Sequence, residues 1–183
     1  EIVKADIAIS DGIIVGIGEY SGKEEIDITG KYVVPGFVDS HLHLESTMVR
    51  PIEFLKAAVK AGTTTFIVDP HEVANVSGTD GIDYIIDQTE NVPANVFVMI
   101  PSCVPAVSFE DNGATLLAET MEKYLSNPRV LGLAEVMDTN AVLNGEKNMM
   151  EKLEMFKEMN IDGHSPALTD EELVAYALAG IKN

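Results

Sequence analysis

Two histidines separated by one residue, His41 and His43, close the run Val34-Pro35-Gly36-Phe37-Val38-Asp39-Ser40-His41-Leu42-His43-Leu44-Glu45. Two carboxylates, Asp39 and Glu45, bracket them, and the whole chain of 183 residues has four histidines. In a strand, residues 39, 41 and 43 share a face. Two imidazoles placed in this way can both reach one metal ion at about 2.0–2.1 Å. Asp39, on the same face, can accept a hydrogen bond from one ring and orient it. A histidine by itself is more often a satisfied core or surface residue, so the pair needs support from elsewhere in the chain. His71 supplies some of it, in Val68-Asp69-Pro70-His71-Glu72, and His164 more, in Asp162-Gly163-His164-Ser165-Pro166. Each follows its own apolar run.

A further carboxylate interrupts an apolar run in Leu131-Gly132-Leu133-Ala134-Glu135-Val136-Met137-Asp138. Burying Glu135 without a partner is costly, so it needs a cation or a proton. The alternative is a solvated strand end; beside the histidines, a metal ligand is the better reading. Other chemistries lack their residues. His71-Glu72-x-x-Asn75 resembles a zinc-protease helix with its second histidine replaced. The zinc deaminase signature needs Pro-Cys-x-x-Cys, and Cys103 is the chain's single cysteine. Cys103, in Ile100-Pro101-Ser102-Cys103-Val104-Pro105, has no neighbouring histidine and reads as a buried or site-lining thiol. Gly16-Ile17-Gly18 lacks the third glycine of a nucleotide loop, since Ser21 stands there, and reads as turn and bulge glycines.

The elements that must position these groups follow a repeat. Apolar, β-branched runs begin near Val33, Thr64, Val96, Val130 and Asn160, at spacings of 31, 32, 34 and 30 residues. A helical pattern follows each. Pro51 opens the first, Ile52, Leu55, Ala58 and Val59 share its face, and Gly62 stops it. Ile82, Ile85, Ile86 and Thr89 mark the second; Leu116, Leu117, Met121, Tyr124 and Leu125 the third; Met149, Met150, Leu153 and Phe156 the fourth. Thr169-Asp170-Glu171-Glu172 is a capping box for the fifth, which carries Leu173, Tyr176 and Ala177 and stops at Gly180. Five βα units imply parallel strands with helical crossovers, in a doubly wound sheet or in part of a (β/α)8 barrel. Active sites of such folds gather at the carboxyl ends of strands, and all four histidines fall there. Residues 1–33 read as β, with a hairpin turning at Asp11-Gly12.

Composition narrows the function. Apolar residues make up 46 % of the chain, which fits a globular fold, and the net charge is −18. So acidic a surface repels phosphate backbones, which argues against nucleic acid as a partner, and it disfavours anionic membranes. No run approaches the roughly 18 apolar residues of a membrane span. One cysteine permits no internal disulfide, which fits a reducing, cytoplasmic location. The chain opens on Glu1 and ends directly after a helical pattern, which suggests a piece of a longer protein.

In order along the chain, "VPGFVDSHLHLE", "HLHLESTM", "DPHEVANV", "SCVPA", "GLAEVMD" and "DGHSPALT" resemble the amidohydrolase superfamily, and within it the adenine deaminase family. The resemblance implies that residues 34–183 form the first five βα units of a partial (β/α)8 TIM-type barrel. Residues 1–33 would be strands of a small β-sandwich domain. It implies that His41 and His43 hold one metal, that Glu135 bridges two, and that His164 binds the second, giving a binuclear centre in the full-length chain. Mn2+ or Fe2+ is implied more readily than Zn2+. Glu45 would handle protons, and His71, Glu72 and Ser102 would contact the substrate. The implied reaction is hydrolytic deamination of a purine base, adenine, to hypoxanthine and ammonia. Five units of eight leave a further histidine and an aspartate base outside this chain, so little or no activity is expected of it alone. Open strand edges should favour homo-oligomers or aggregation. Two other readings compete: another cyclic-amide or amidine hydrolase of the superfamily, against which the DPHE and SCVPA segments argue, and a non-catalytic α/β module, which predicts no bound metal.

Overall fold

The computed structural model describes residues 2–107, 109–164 and 167–182. The chain divides into two compact units, residues 1–35 and 36–183. In the first, β1 (Asp6–Ser10) pairs antiparallel with β2 (Ile13–Gly18). Asp11 and Gly12 both take left-handed backbone angles, φ 52° and 77°. Positive φ at both central positions is the requirement of the tight turn whose twist matches the flanking strands. Among the described residues of this unit, strand pairing spans residues 6–18. The hairpin expected at Asp11-Gly12 is present. Ile9, Ile13, Ile14, Val15 and Ile17 are all largely exposed, and among the described residues the polar, glycine-containing stretch after the ribbon forms no strand.

The second unit contains β3 (Phe37–Leu42), β4 (Thr63–Val68), β5 (Asn95–Pro101), β6 (Val130–Val136) and β7 (Asn160–Gly163), all parallel. Their order in space is their order in sequence. A doubly wound sheet reverses direction at a switch point; this sheet does not, so it is half of a barrel. The helices are α1 (Pro51–Ala61), α2 (His71–Ser77), α3 (Thr79–Gln88), α4 (Ala118–Met121), α5 (Thr139–Leu143), α6 (Lys147–Met155) and α7 (Asp170–Leu178). Short 3-10 turns occupy Glu45–Thr47 and Glu122–Tyr124.

The expected signals act where they stand. Pro51 opens α1, and Gly62 closes it at φ 109°. Thr169 and Glu172 exchange the reciprocal bonds of a capping box at the start of α7. The core is formed by Leu55, Phe66, Val68, Ile82, Ile85, Val98, Ile100, Leu133, Phe156 and Ile161, all nearly inaccessible. A Cβ at Gly132 would run into the backbone oxygen of Asn160, so β6 and β7 can approach only because that position is glycine.

Three details depart from the periodicity. Two helices, not one, follow β4, and they meet at Gly78 (φ 62°). The pattern around Leu116–Leu125 yields only four residues of α-helix and a 3-10 turn; Leu116, Met121 and Tyr124 are buried, while Leu117 and Leu125 stay exposed. Tyr124 is tied down by its hydroxyl, which donates to Asp83 Oδ1 at 2.8 Å. In α6, Met150 is exposed and Lys152 is buried instead. Among the described residues no helix is long and apolar enough to cross a membrane.

Candidate metal centre

At the carboxyl end of the half-barrel, side chains from three strand ends converge on Glu135 of β6. His41 lies in β3 and His43 just after it. Asp69 follows β4, His71 opens α2, and His164 follows β7. Glu135 lies in β6 with φ 26°, a left-handed angle on a residue that is not glycine. The β6–β7 register also shifts between Leu133 and Val136. Strain of this kind costs about 1–3 kcal/mol and persists only where surrounding structure imposes it.

The two carboxylate oxygens serve different imidazoles. Oε1 lies 2.8 Å from His164 Nδ1 and 3.5 Å from His41 Nε2. Oε2 lies 3.5 Å from His43 Nε2 and 3.6 Å from His71 Nδ1. His41 Nε2 and His43 Nε2 are 3.2 Å apart. His43 Nδ1 sits 2.7 Å from the backbone oxygen of Asp69. A carbonyl only accepts, so the ring proton belongs on Nδ1, and in the neutral ring Nε2 is a bare lone pair. That lone pair faces a carboxylate oxygen, itself an acceptor. His41 Nε2–H can donate to that lone pair across the 3.2 Å between the rings, while a metal ion at the same point would meet the lone pair and the carboxylate together. Both oxygens of buried Asp69 and Nδ1 of His71 also lack hydrogen-bond partners. One donor atom each from His43, Asp69, His71 and Glu135 falls within 4.8 Å of the others. Nitrogen and oxygen donors without thiolate fit a divalent first-row metal.

The electrostatics agree. Burial pushes the Glu135 carboxyl up, but the His164 bond and the His41 and His43 rings outweigh it and hold it below its ordinary value. Asp69 is raised by burial, against the pull of His71. His71 is raised by the Asp69 carboxylate 3.6 Å away, against its own burial.

Residues 32–183 match the Amidohydrolase family. The chain belongs to that family. It is 60 % identical over 182 residues to the adenine deaminase of Desulfitobacterium hafniense (strain Y51), covering 100 % of this chain and 32 % of that protein. It is 52 % identical over 184 residues to the adenine deaminase of Clostridium acetobutylicum, with the same two coverages. Over 183 residues it is 50 % identical to adenine deaminase 2 of Carboxydothermus hydrogenoformans, again with 100 % and 32 % covered. The chain thus spans about a third of the length of these relatives.

Within this amidohydrolase chain every converging donor lies inside the matched segment. Of the residues singled out from the sequence, His41, His43, Glu135 and His164 come together. His71, expected against the substrate, joins the same group of donors. Its neighbour Glu72 accepts a bond from Ser46 Oγ at 2.6 Å. Glu45 Oε1 accepts from the backbone N–H groups of Glu72 and Val73 at 3.0 and 3.2 Å, while Oε2 is buried without a partner. Burial raises the Glu45 carboxyl above its usual range. Asp39 Oδ1 accepts from the backbone N–H of His41 at 3.3 Å. It steadies the main chain there, while the ring-orienting contact of the strand is made by the Asp69 oxygen. Ser102 is buried, and its hydroxyl lies 2.8 Å from the backbone oxygen of Glu135.

Two residues of the site escaped the sequence reading. Asp69 ends a strand as a carboxylate among apolar residues, the same signal that singled out Glu135. Lys152 gave none, since it stands on a helix rich in charge. A cavity of about 220 Å³ opens beside the donors, lined by His71, Glu72, Asn75, Ala106 and Glu110. A larger one of about 340 Å³, around Asp83, Lys123 and Tyr124, contains none of the converging donors.

Proposed function

We propose that the protein is a metal-dependent hydrolase that deaminates adenine to hypoxanthine and ammonia. The observation that carries this reading is the convergence of four imidazoles on the two oxygens of the Glu135 carboxylate, with the His43 tautomer set by the Asp69 backbone oxygen, in a chain similar along its whole length to adenine deaminases. His41, His43, Glu135 and His164 would hold metal, with Asp69 and His71 completing the enclosed side. Two oxygens of Glu135, each facing two imidazoles, suit a bridging role and a binuclear centre. Imidazole and carboxylate donors without thiolate suit Mn2+, Fe2+ or Zn2+, and the likeness to adenine deaminases favours Mn2+ or Fe2+. When bound, the metal supplies Lewis acidity, which brings the pKa of water toward about 7.

The chain's own residues supply the rest. Addition of water at C6 and loss of the amine require proton transfers to the ring and to the departing nitrogen. Glu45 is suited to hold and pass that proton: burial favours its protonated form, and Oε2 is the oxygen left free to carry it. His71 and Glu72, lining the cavity next to the donors, are placed to bind the base. The enclosed donors exclude water from behind Glu135, which strengthens every charge interaction there. We also place the protein in the cytoplasm, on its single cysteine. We infer a homo-oligomer from the one-sided pairing of β3 and β7 among the described strands, a reading that light scattering tests.

The test is ammonia release from adenine by the full-length protein loaded with Mn2+ or Fe2+, with dihydroorotate and other cyclic amides assayed in parallel. Adenine should be consumed with equimolar hypoxanthine formed, and the 183-residue chain alone should turn over little or none. A loaded full-length protein that leaves adenine intact and opens a cyclic amide would overturn the assignment.

A further inference from the structure

We propose that Lys152 and Ser102 act as positioning residues that hold Glu135 in its strained backbone conformation, so that the metal centre depends on a buried network behind it. The inference rests on the metal reading above. Lys152, on α6, is 2 % exposed, and its Nζ donates to the backbone oxygen of Ser102 at 2.6 Å. Ser102, just past β5, is equally buried, and its Oγ lies 2.8 Å from the backbone oxygen of Glu135 and 3.1 Å from Cys103 Sγ. The Glu135 oxygen only accepts, so the Ser102 hydroxyl proton goes to it. The Cys103 S–H then donates to Ser102 Oγ, and the N–H of Asp138 donates to Cys103 Sγ at 3.4 Å. Ser102 and Cys103 thus pin the chain both at Glu135 and three residues later. Lys152 fixes the peptide that carries them.

A fold that needed only to fill this space would be served as well by an apolar residue. Burying an ammonium costs free energy, and replacing buried charge by an apolar side chain of similar volume is often neutral or stabilising. Lys152 nevertheless stands there, with its hydrogen bond going to the peptide that grips Glu135. Glu135 in turn holds a φ that a non-glycine residue does not adopt unaided. A carboxylate that must face imidazoles on both of its oxygens requires that angle to be imposed, and the outer contacts of metal ligands are where such orientation is set.

The experiment measures Mn2+ affinity of the full-length protein by equilibrium dialysis, together with its melting temperature in chelator. The variants are Ser102→Ala, Ser102→Thr and Lys152→Met, and Co2+ absorption spectra are recorded on each. Ser102→Ala should weaken Mn2+ binding by about 10- to 100-fold and alter the Co2+ bands; Ser102→Thr, which keeps the hydroxyl, should restore both. Lys152→Met should weaken binding by at least about tenfold while its melting temperature in chelator stays level or rises. Wild-type affinity in Ser102→Ala and Lys152→Met would overturn the proposal. So would a loss of affinity in Lys152→Met accompanied by a matching fall in melting temperature, which would mean a merely structural role. If the wild type binds no Mn2+, the metal reading fails and this inference with it; if the wild type binds and the variants bind equally, the inference alone fails.

Discussion

The two oxygens of Glu135 look onto different surroundings. On the Oε2 side the His43 and His71 side chains are 22 % and 24 % exposed and Asp69 is 2 % exposed; on the Oε1 side His41 and His164 are 47 % and 54 % exposed. The enclosed side is preorganised. The Asp69 backbone oxygen sets the His43 tautomer, and three polar atoms of Asp69 and His71 make no hydrogen bond, His71 Nδ1 lying 3.6 Å from both Asp69 Oδ2 and Glu135 Oε2. Among the described residues the ring of His41 meets His43, Glu135 and the charge of Asp162, with no backbone hydrogen bond to its nitrogens such as His43 has. The difference teaches that one carboxylate can join a tight, dry donor group to an open one. Metal should enter the enclosed side first and bind there more tightly, while the open side exchanges with solvent and substrate.

Glu135→Gln should have the largest effect, because it damages both sides at once. Mn2+ binding measured by dialysis should fall by more than about a hundredfold, beyond the range typical of losses outside the ligand shell. A smaller contrast separates the sides. His43→Ala should weaken the first Mn2+ equivalent about tenfold more than His41→Ala does, since a fixed ligand loses less freedom on binding than a loose one. Equal losses in the two variants would erase the distinction between enclosed and open. The smallest effect concerns pH. Protons compete with metal for His71 Nδ1, and Asp69 raises the pKa of that ring above the ordinary 6.5. Raised means protonated at higher pH, so Mn2+ affinity should begin to fall at a higher pH than for an ordinary histidine as acid is added. In Asp69→Asn that fall should move toward lower pH, because the carboxylate that holds the His71 pKa up is gone. A fall that stays in place would remove Asp69 from the enclosed group.

Much of the fold was legible because its signals are local. The 30-residue rhythm, the Pro51 start, the Gly62 stop and the Thr169 capping box act on their own neighbourhoods. α2 was not legible: seven residues with Val73 and Ala74 as their inward apolar face are too few to show a period. The histidines and Glu135 could be read as donors from residue type and strand-end position alone. The division between enclosed and open sides could not, since it depends on α2 folding back so that His71 meets Glu135 across 64 positions of sequence. Lys152 was invisible for a similar reason. Its burial is created by α6 docking on the end of β5, fifty residues earlier in the chain. The left-handed angle at Glu135 coincides with the register shift between β6 and β7, which no single residue announces.

The most direct test of the central claim is anomalous diffraction at the manganese edge from crystals of the full-length protein grown with Mn2+. The account predicts a strong peak within bonding distance of Glu135 Oε2 and His43 Nε2, with any second, weaker peak on the Oε1 side between His41 and His164. Peaks absent from the neighbourhood of Glu135, or placed only on exposed surface carboxylates, would contradict it.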